Sequence, residues 1–477
     1  MKKNLNLLLF CFIIFGLSFF VRLYKIYNPV ADWHSWRQAD TAAVARNFAK
    51  NGINFLYPQS DSLEALNLWQ LPNPKRLFIN EFPFYNAIVA LLYRQFGIHE
   101  YLARLVSVGF SSLGAVFLFL LVNRLFNFKI ALVAGFFYCL NPYNIYYGRV
   151  IMPDPTNVSL SIISLYLFIK WLDTQKFYLG FLFSLAFGLA LLVKPYAIFV
   201  AAPMIYWAFA TKGWKIFAWK SAYLFGLIAV VPYLLWRQHY LAHPEANFDT
   251  TWLFNRTNIR FTGAFFRWLI FERFNRLIFA TGGFVLLIIG LLTSYLNKNR
   301  LFVFIWFLSI IGYMVIFAMG NVTHDYYQLP IMPVGSILVS FGFWQIIESS
   351  KKIIIKLINL GFAVSLLVIS FGFGWYEVRG FFNINHPEII AAGKAVDELT
   401  PKDALVIAAY NNDPAFLYQT NRYGWPIGTD IEDRVKLGAT HYVSINHDNV
   451  TEYLSSKCSV VVDKPEYIII DLRNCAL

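Results

Sequence analysis

The sequence predicts a mainly α-helical, polytopic membrane bundle with outer-face juxtamembrane helices and a small C-terminal α/β domain outside the membrane. Three observations carry this. Of 477 residues, 58% are hydrophobic and 14% charged, with a mean hydropathy of +0.51, more apolar surface than a soluble domain of this size can bury. Apolar runs of bilayer-crossing length recur along residues 1–376. Beyond them, residues 377–477 change to short alternating patterns.

The elements follow in order. Met1-Lys2-Lys3 and the apolar run from Leu5 to Val21 resemble a secretion signal. Arg22-Leu23-Tyr24-Lys25 stands where a small-residue cleavage site would be, so the run reads as an uncleaved first span. About eleven spans are expected, near 5–26, 102–122, 129–147, 156–173, 177–193, 196–211, 218–237, 277–296, 301–319, 329–347 and 353–374. With the N-terminus inside, every short inside segment is basic: Lys2 and Lys3; Arg124 and Lys129; Lys170 and Lys176; Lys212, Lys215 and Lys220; Lys298 and Arg300; Lys351, Lys352 and Lys356. The positive-inside rule selects this orientation. It makes the chain a multi-pass protein of the inner (plasma) membrane with a cytoplasmic N-terminus. Segments 27–101, 148–155, 238–276 and 320–328 then lie outside, with the tail 377–477.

The run from Phe82 to Phe96 is short and carries Asn86 and Arg94. It reads as a helix lying along the outer interface, because a crossing here would invert every later loop. Segment 35–50, rich in Ala, reads as a second outer helix. The expected domains are 1–376, including the first outer loop 27–101, and 377–477. In the tail, 'DALVIAA' and 'YIIID' read as strands, and 388–399 and 430–437 as helices. Cys458 and Cys475 lie in this outer tail and can pair there, whereas Cys11 and Cys139 sit in apolar spans as packing residues. The net charge of +13 belongs to the inside loops, so no nucleic-acid partner is expected.

The informative polar residues stand at outer span mouths. Charges near a bilayer are costly, and acids kept there suggest a working site. Asp32 and Asp40 lie in 'VADWHSWRQADTAAVARNF', and Asp154 in 'YYGRVIMPDPT' beside Arg149, Tyr146 and Tyr147. Each has a plainer reading. Asp32 (or Ser35) and Asp154 are good helix N-caps, and Asp40 is a solvated helix charge. Lys194, in 'LLVKPYAIF', is a cation at an outer turn, against the orientation rule. It calls for an anionic partner such as a lipid phosphate, or snorkels to the interface. 'NVTHDYYQLPIMP' places His324, Asp325, Tyr326 and Tyr327 at another outer mouth, where a His beside an Asp can hold a phosphate or a metal. Asp32, His34 and Asp154 are a candidate set for a divalent metal ion, without the spacing of a committed site. No P-loop, dinucleotide fingerprint, GxSxG or HExxH occurs.

Several stretches resemble the GT-C superfamily of polyprenyl-phosphate-sugar glycosyltransferases, in particular the group with the protein O-mannosyltransferases and the lipid A aminoarabinose transferase. They are 'DWHSWRQADTAAVARNFAKNGINFLYP', 'NEFPFYNAIVALLYRQFGIHEYLARLVS', 'GRVIMPDP', 'LVKPYAIFVAAP' and 'HDYYQLPIMP'. The resemblance implies a sugar donor on a polyprenyl phosphate and a glycan, lipid or protein acceptor on the outer face. It also implies a general base in the first outer loop, a second acid at Asp154, and inversion at the anomeric carbon. The family's Asp-Glu pair falls on Arg37-Gln38 here, so the base is Asp32 or Asp40. Lys194, Arg37 and Arg149 would stabilise the leaving phosphate, with His324 and Tyr327 lining the substrate site. Two other readings are an O-antigen-type ligase, with a diphosphate-linked donor on the basic loop 238–276, and a lipid or solute transporter. Transporters keep ionisable residues near the bilayer midplane in repeated halves; here the acids lie outside and no repeat is visible.

Overall fold

The computed structural model describes residues 2–65, 67–294 and 297–475. The two ends of the expected domains, residues 1 and 477, and the last two residues of the 277–296 run lie outside that set. The chain opens with α1 (Lys2–Val21), α2 (Ser35–Asn51), α3 (Phe84–Phe96) and α4 (Glu100–Leu125). There follow α5 (Phe128–Leu140), α6 (Pro142–Tyr147), α7 (Asp154–Thr174) and α8 (Phe177–Val193). Each of the eleven apolar runs carries helix. Four helices are long and apolar enough to cross a membrane, or up to six if each of two bent pairs is one span, among the described residues.

The lower figure has local causes. The 129–147 run breaks at Asn141, whose side chain accepts from the Asn144 amide and starts α6 at Pro142. The 196–211 run begins as a 3-10 turn, Pro195–Val200, because Pro195 cannot continue α8. α7 carries Asp154, Lys170 and Asp173 along 21 residues. α3 has 13 residues, about 20 Å of helix against a hydrocarbon core of about 30 Å, so it is too short to cross.

The chain forms two compact units that divide it differently from 1–376 and 377–477. The first comprises 1–26, 105–237 and 250–380. In it α7 packs along α8, and the helix Gly282–Leu292 packs along Ile331–Glu348. At that second contact the backbones touch. A Cβ on Gly290 would come 1.9 Å from the Leu338 carbonyl, and one on Gly342 would come 2.0 Å from the Leu286 carbonyl. Close approach through small residues is how apolar helices associate where lipid gives no hydrophobic drive.

The second unit comprises 27–104, 238–249 and 381–477. Its sheet runs β2-β1-β3-β5-β4, with β1 (Leu405–Ala409), β2 (Tyr423–Trp425), β3 (His441–Ser444), β4 (Ser459–Lys464) and β5 (Tyr467–Asp471). β2, β1 and β3 are parallel, and β3, β5 and β4 antiparallel. The two expected strands are β1 and β5, and the two expected helices are Glu388–Leu399 and Ile431–Lys436. Cys458 and Cys475 are disulfide-bonded. Segment 27–101 joins this unit: Ser62 bridges Gly424, the middle residue of β2. α2 lies between α3 and the helix Pro414–Gln419, and its residues Arg37 to Phe48 are all buried.

Candidate functional site

In the first unit the site grows from the turn before α7. Pro153 holds the cap position with no side-chain bond, so Asp154 is not a cap but the first helical residue. Its carboxylate is buried (1% exposed) and turns sideways. Oδ1 accepts from the Tyr196 hydroxyl at 2.6 Å, and Oδ2 lies 3.6 Å from Lys194 Nζ. Oδ2 has no hydrogen-bond partner among the described residues, although it is buried. Lys194 is brought here because α8 ends one residue before it and runs antiparallel to α7. Asn157 Nδ2 clamps this end, donating to the carbonyls of Ala190 (2.7 Å) and Lys194 (3.2 Å). The Lys194 ammonium also faces the rings of Tyr196, Tyr326 and Tyr327 at 5.6–6.0 Å. Such faces hold a cation in place without neutralising it.

The 'HDYYQ' segment is a short 3-10 turn, Asp325–Gln328. Asp325 is buried and gathers hydroxyls: Tyr147 donates to its carboxylate and Tyr143 to its carbonyl at 2.7 Å, with Arg273 Nη1 3.9 Å away. His324 stacks on Tyr326 at 5.4 Å and meets Trp252 edge to face. Tyr327 accepts at its carbonyl from Tyr313. Arg149 is fully buried, and its Nη1 donates to the Lys25 carbonyl at 2.8 Å.

The second unit holds the other acids. α2 is capped by His34 in the left-handed conformation (φ 57°), with no side-chain cap bond, so neither Asp32 nor Ser35 caps it. Asp32 is 2% exposed, and its Oδ1 accepts from Gln38 Nε2 at 2.7 Å and Arg104 Nη2 at 3.3 Å. Arg104, fully buried, also donates to Gln38 Oε1, closing a triad. Arg37 pairs with Glu81 at 2.7 Å. Asp40 is not a solvated charge: it is 5% exposed on a helix covered on both sides. Burial pushes its carboxyl up to about 7. The carboxylates of Asp413, Asp61 and Glu81 add to that rise, and Arg37 opposes it. Asp413, which caps the helix Pro414–Gln419, is pushed up to about 6, again mainly by burial.

Within either unit, no three His, Cys, Asp or Glu side chains come together to hold a metal among the described residues. Asp32 faces Arg104 and Asp154 faces Lys194, so the donors present do not make a cation cage. The residues that sequence reasoning passed over are Arg104, Glu81, Tyr196, Asn157 and Arg273, and Gln38 is singled out only as the place of the family's acidic pair. Arg104 had a visible signal, a lone cation where an apolar span begins.

Comparison with known proteins adds the following. The family Dolichyl-phosphate-mannose-protein mannosyltransferase matches residues 80–236. No curated protein matches the sequence. Among solved structures, ArnT from Cupriavidus metallidurans bound to undecaprenyl phosphate is similar, with a TM-score of 0.66 at 14% identity, over 100% of this chain and 98% of that one. Its apo state gives 0.65 at 14% identity over 98% of each chain. The oligosaccharyltransferase of Archaeoglobus fulgidus gives 0.59 at 10% identity, over 91% of this chain and 69% of that one. At these identities the likeness is one of fold, a polytopic helical membrane fold shared with these transferases.

Proposed function

We propose that this chain is an integral-membrane glycosyltransferase that moves a sugar from a polyprenyl phosphate to an acceptor hydroxyl on the outer face, with inversion. The observation that carries the reading is the Asp154–Lys194 pair at the mouth of α7, buried yet with one carboxylate oxygen lacking a hydrogen bond. A buried acceptor atom left open costs about 1–3 kcal/mol, so a ligand that donates to it is favoured. A sugar or acceptor hydroxyl is such a donor.

The step balances simply. A carboxylate of the first outer loop, Asp32 or Asp40, takes the proton of the acceptor hydroxyl. The oxygen attacks the anomeric carbon from the face opposite the phosphate, the carbon–oxygen bond to phosphate breaks, and the polyprenyl phosphate leaves with the electron pair. Lys194, with Arg37 and Arg149 as further cations, offsets the charge growing on the phosphate, and His324 and Tyr327 line the donor site. Asp154 holds the sugar or the acceptor. The basic inside loops support a cytoplasmic N-terminus and an outer acceptor side in the plasma membrane.

Purified protein in liposomes, given radiolabelled sugar on polyprenyl monophosphate, tests this. Label appearing on a lipid, glycan or protein acceptor, with polyprenyl phosphate released, is expected. Transfer only from a diphosphate donor would make the chain a ligase. Lipid movement without bond cleavage would make it a transporter.

A further inference from the structure

A separate cavity of 710 Å³ opens in the second unit where α2 ends. Its size falls in the range of about 300–1,000 Å³ usual for small-molecule sites. Its wall is unusually rich in side chains with hydrogen-bonding capacity to spare. Asn51, the last residue of α2, makes no side-chain bond among the described residues, and neither do the side chains of Lys75 and Glu245. Asn54 uses its Oδ1 on the amides of Leu56 and Tyr57, which leaves its Nδ2. Gln59 spends its Nε2 on the Lys75 carbonyl, which leaves its Oε1. His243 Nδ1 donates to the His239 carbonyl, which leaves Nε2 as an acceptor when the ring is neutral. Beside these stands Tyr57, 43% exposed, its ring meeting both His239 and His243 edge to face at 5.4 Å.

The ligand class follows from this set. Donors and acceptors are mixed in one wall, and the formal charges, one Lys and one Glu, cancel. Hydroxyls donate and accept at once, so a neutral polyol satisfies both kinds of group, whereas a polyanion would face Glu245 and the open Gln59 and His243 acceptors. An extended peptide would need an open backbone edge to pair with. The backbone beside the cavity is closed instead: Gln59 bridges Leu77, Ser60 N donates to the Arg76 carbonyl, and Phe78 N to the Pro58 carbonyl. We infer that this cavity binds neutral carbohydrate. Its role then rests on the transferase reading: it holds the glycan of the acceptor. Asn51 stands eleven residues beyond Asp40 on one rigid helix, about 16 Å along its axis. A glycan seated here is thus held on the same helix as Asp40, one of the two candidate bases.

The test uses the full chain in phosphatidylethanolamine–phosphatidylglycerol nanodiscs. Saturation-transfer NMR is run with mannotetraose, maltotetraose, cellotetraose and chitotetraose, against a heparin tetrasaccharide and an unstructured heptapeptide. At least one neutral tetrasaccharide should bind, and Asn51→Trp, which fills the cavity without removing a bond, should weaken it by at least about tenfold, as should Tyr57→Ala. Equal binding by Asn51→Trp, binding of heparin or peptide in preference, or no binding by any of the four sugars would overturn the proposal. Undecaprenyl phosphate binding is measured on the same samples. Its loss with sugar binding intact would sink the transferase reading alone, and its presence with no sugar binding would sink the cavity alone.

Discussion

Asp40→Asn separates two consequences of burying an acid on α2. The Asp40 carboxyl rises from an ordinary 3.8 to about 7, chiefly through burial. At about 1.4 kcal/mol per pH unit, ionising it in the folded protein costs about 4 kcal/mol relative to the unfolded chain. The sign follows. Because the folded value is the higher one, the folded state holds the proton more tightly. Its contribution to stability is full below about pH 4, falls as pH rises, and is gone above pH 7. Asn keeps the shape and cannot ionise, so the variant should gain stability over wild type by about 3 kcal/mol more at pH 8 than at pH 5. Denaturant unfolding of detergent-solubilised protein at the two pH values, followed by tryptophan fluorescence, measures this. A gain equal at both pH values would show that Asp40 titrates as an ordinary surface acid and that α2 is open to water. The same variant assigns the base. If Asp40 is the base, wild-type kcat/KM should rise with pH through about 7 and Asp40→Asn should lose transfer; if Asp32 is, Asp40→Asn stays active and Asp32→Asn does not.

Other outcomes are expected. Asp154→Asn keeps the Tyr196 partner but loses the charge opposite Lys194, and should lower transfer by at least about a hundredfold at normal membrane levels; Lys194→Ala should chiefly raise the KM for the donor, as steady-state transfer assays would read. Gly342→Ala drives a methyl to 2.0 Å from the Leu286 carbonyl, and should cost about 1–3 kcal/mol in thermal unfolding while leaving residues of the second unit unaffected in hydrogen exchange. Cys458→Ser with Cys475→Ser opens a loop of 17 residues and should cost the tail about 3 kcal/mol in urea unfolding, with no change in donor binding. A reporter active only in the cytosol should stay dark when fused after residue 477, and activity there would reverse the orientation drawn from the basic loops.

What the sequence discloses depends on how local the cause is. Apolar runs, basic loops and the strands 'DALVIAA' and 'YIIID' report on their own residues, and the helices and strands stand where those patterns lie. Asp154 and Lys194 were each conspicuous as charges at an outer mouth, but nothing in the chain announces that they meet. That depends on Asn157 tying the end of α8 to α7, and an Asn inside an apolar helix has many plainer explanations. The acids of the first outer loop show the opposite limit. Helix-capping preference makes Asp32 and Ser35 natural caps, yet His34 takes the cap backbone and leaves Asp32 to Arg104 and Gln38. Local preference gives way because Arg104, fully buried, must have an anion, and an unpaired buried charge costs more than an unfilled cap. Asp40 reads as solvated for a related reason. Part of its cover comes from the helix Pro414–Gln419, nearly four hundred residues later in the chain, which no window along α2 can see. The residues that make these acids chemically useful are therefore the ones that long-range packing supplies: a cation for Asp32, a hydroxyl for Asp154, and a dry wall for Asp40.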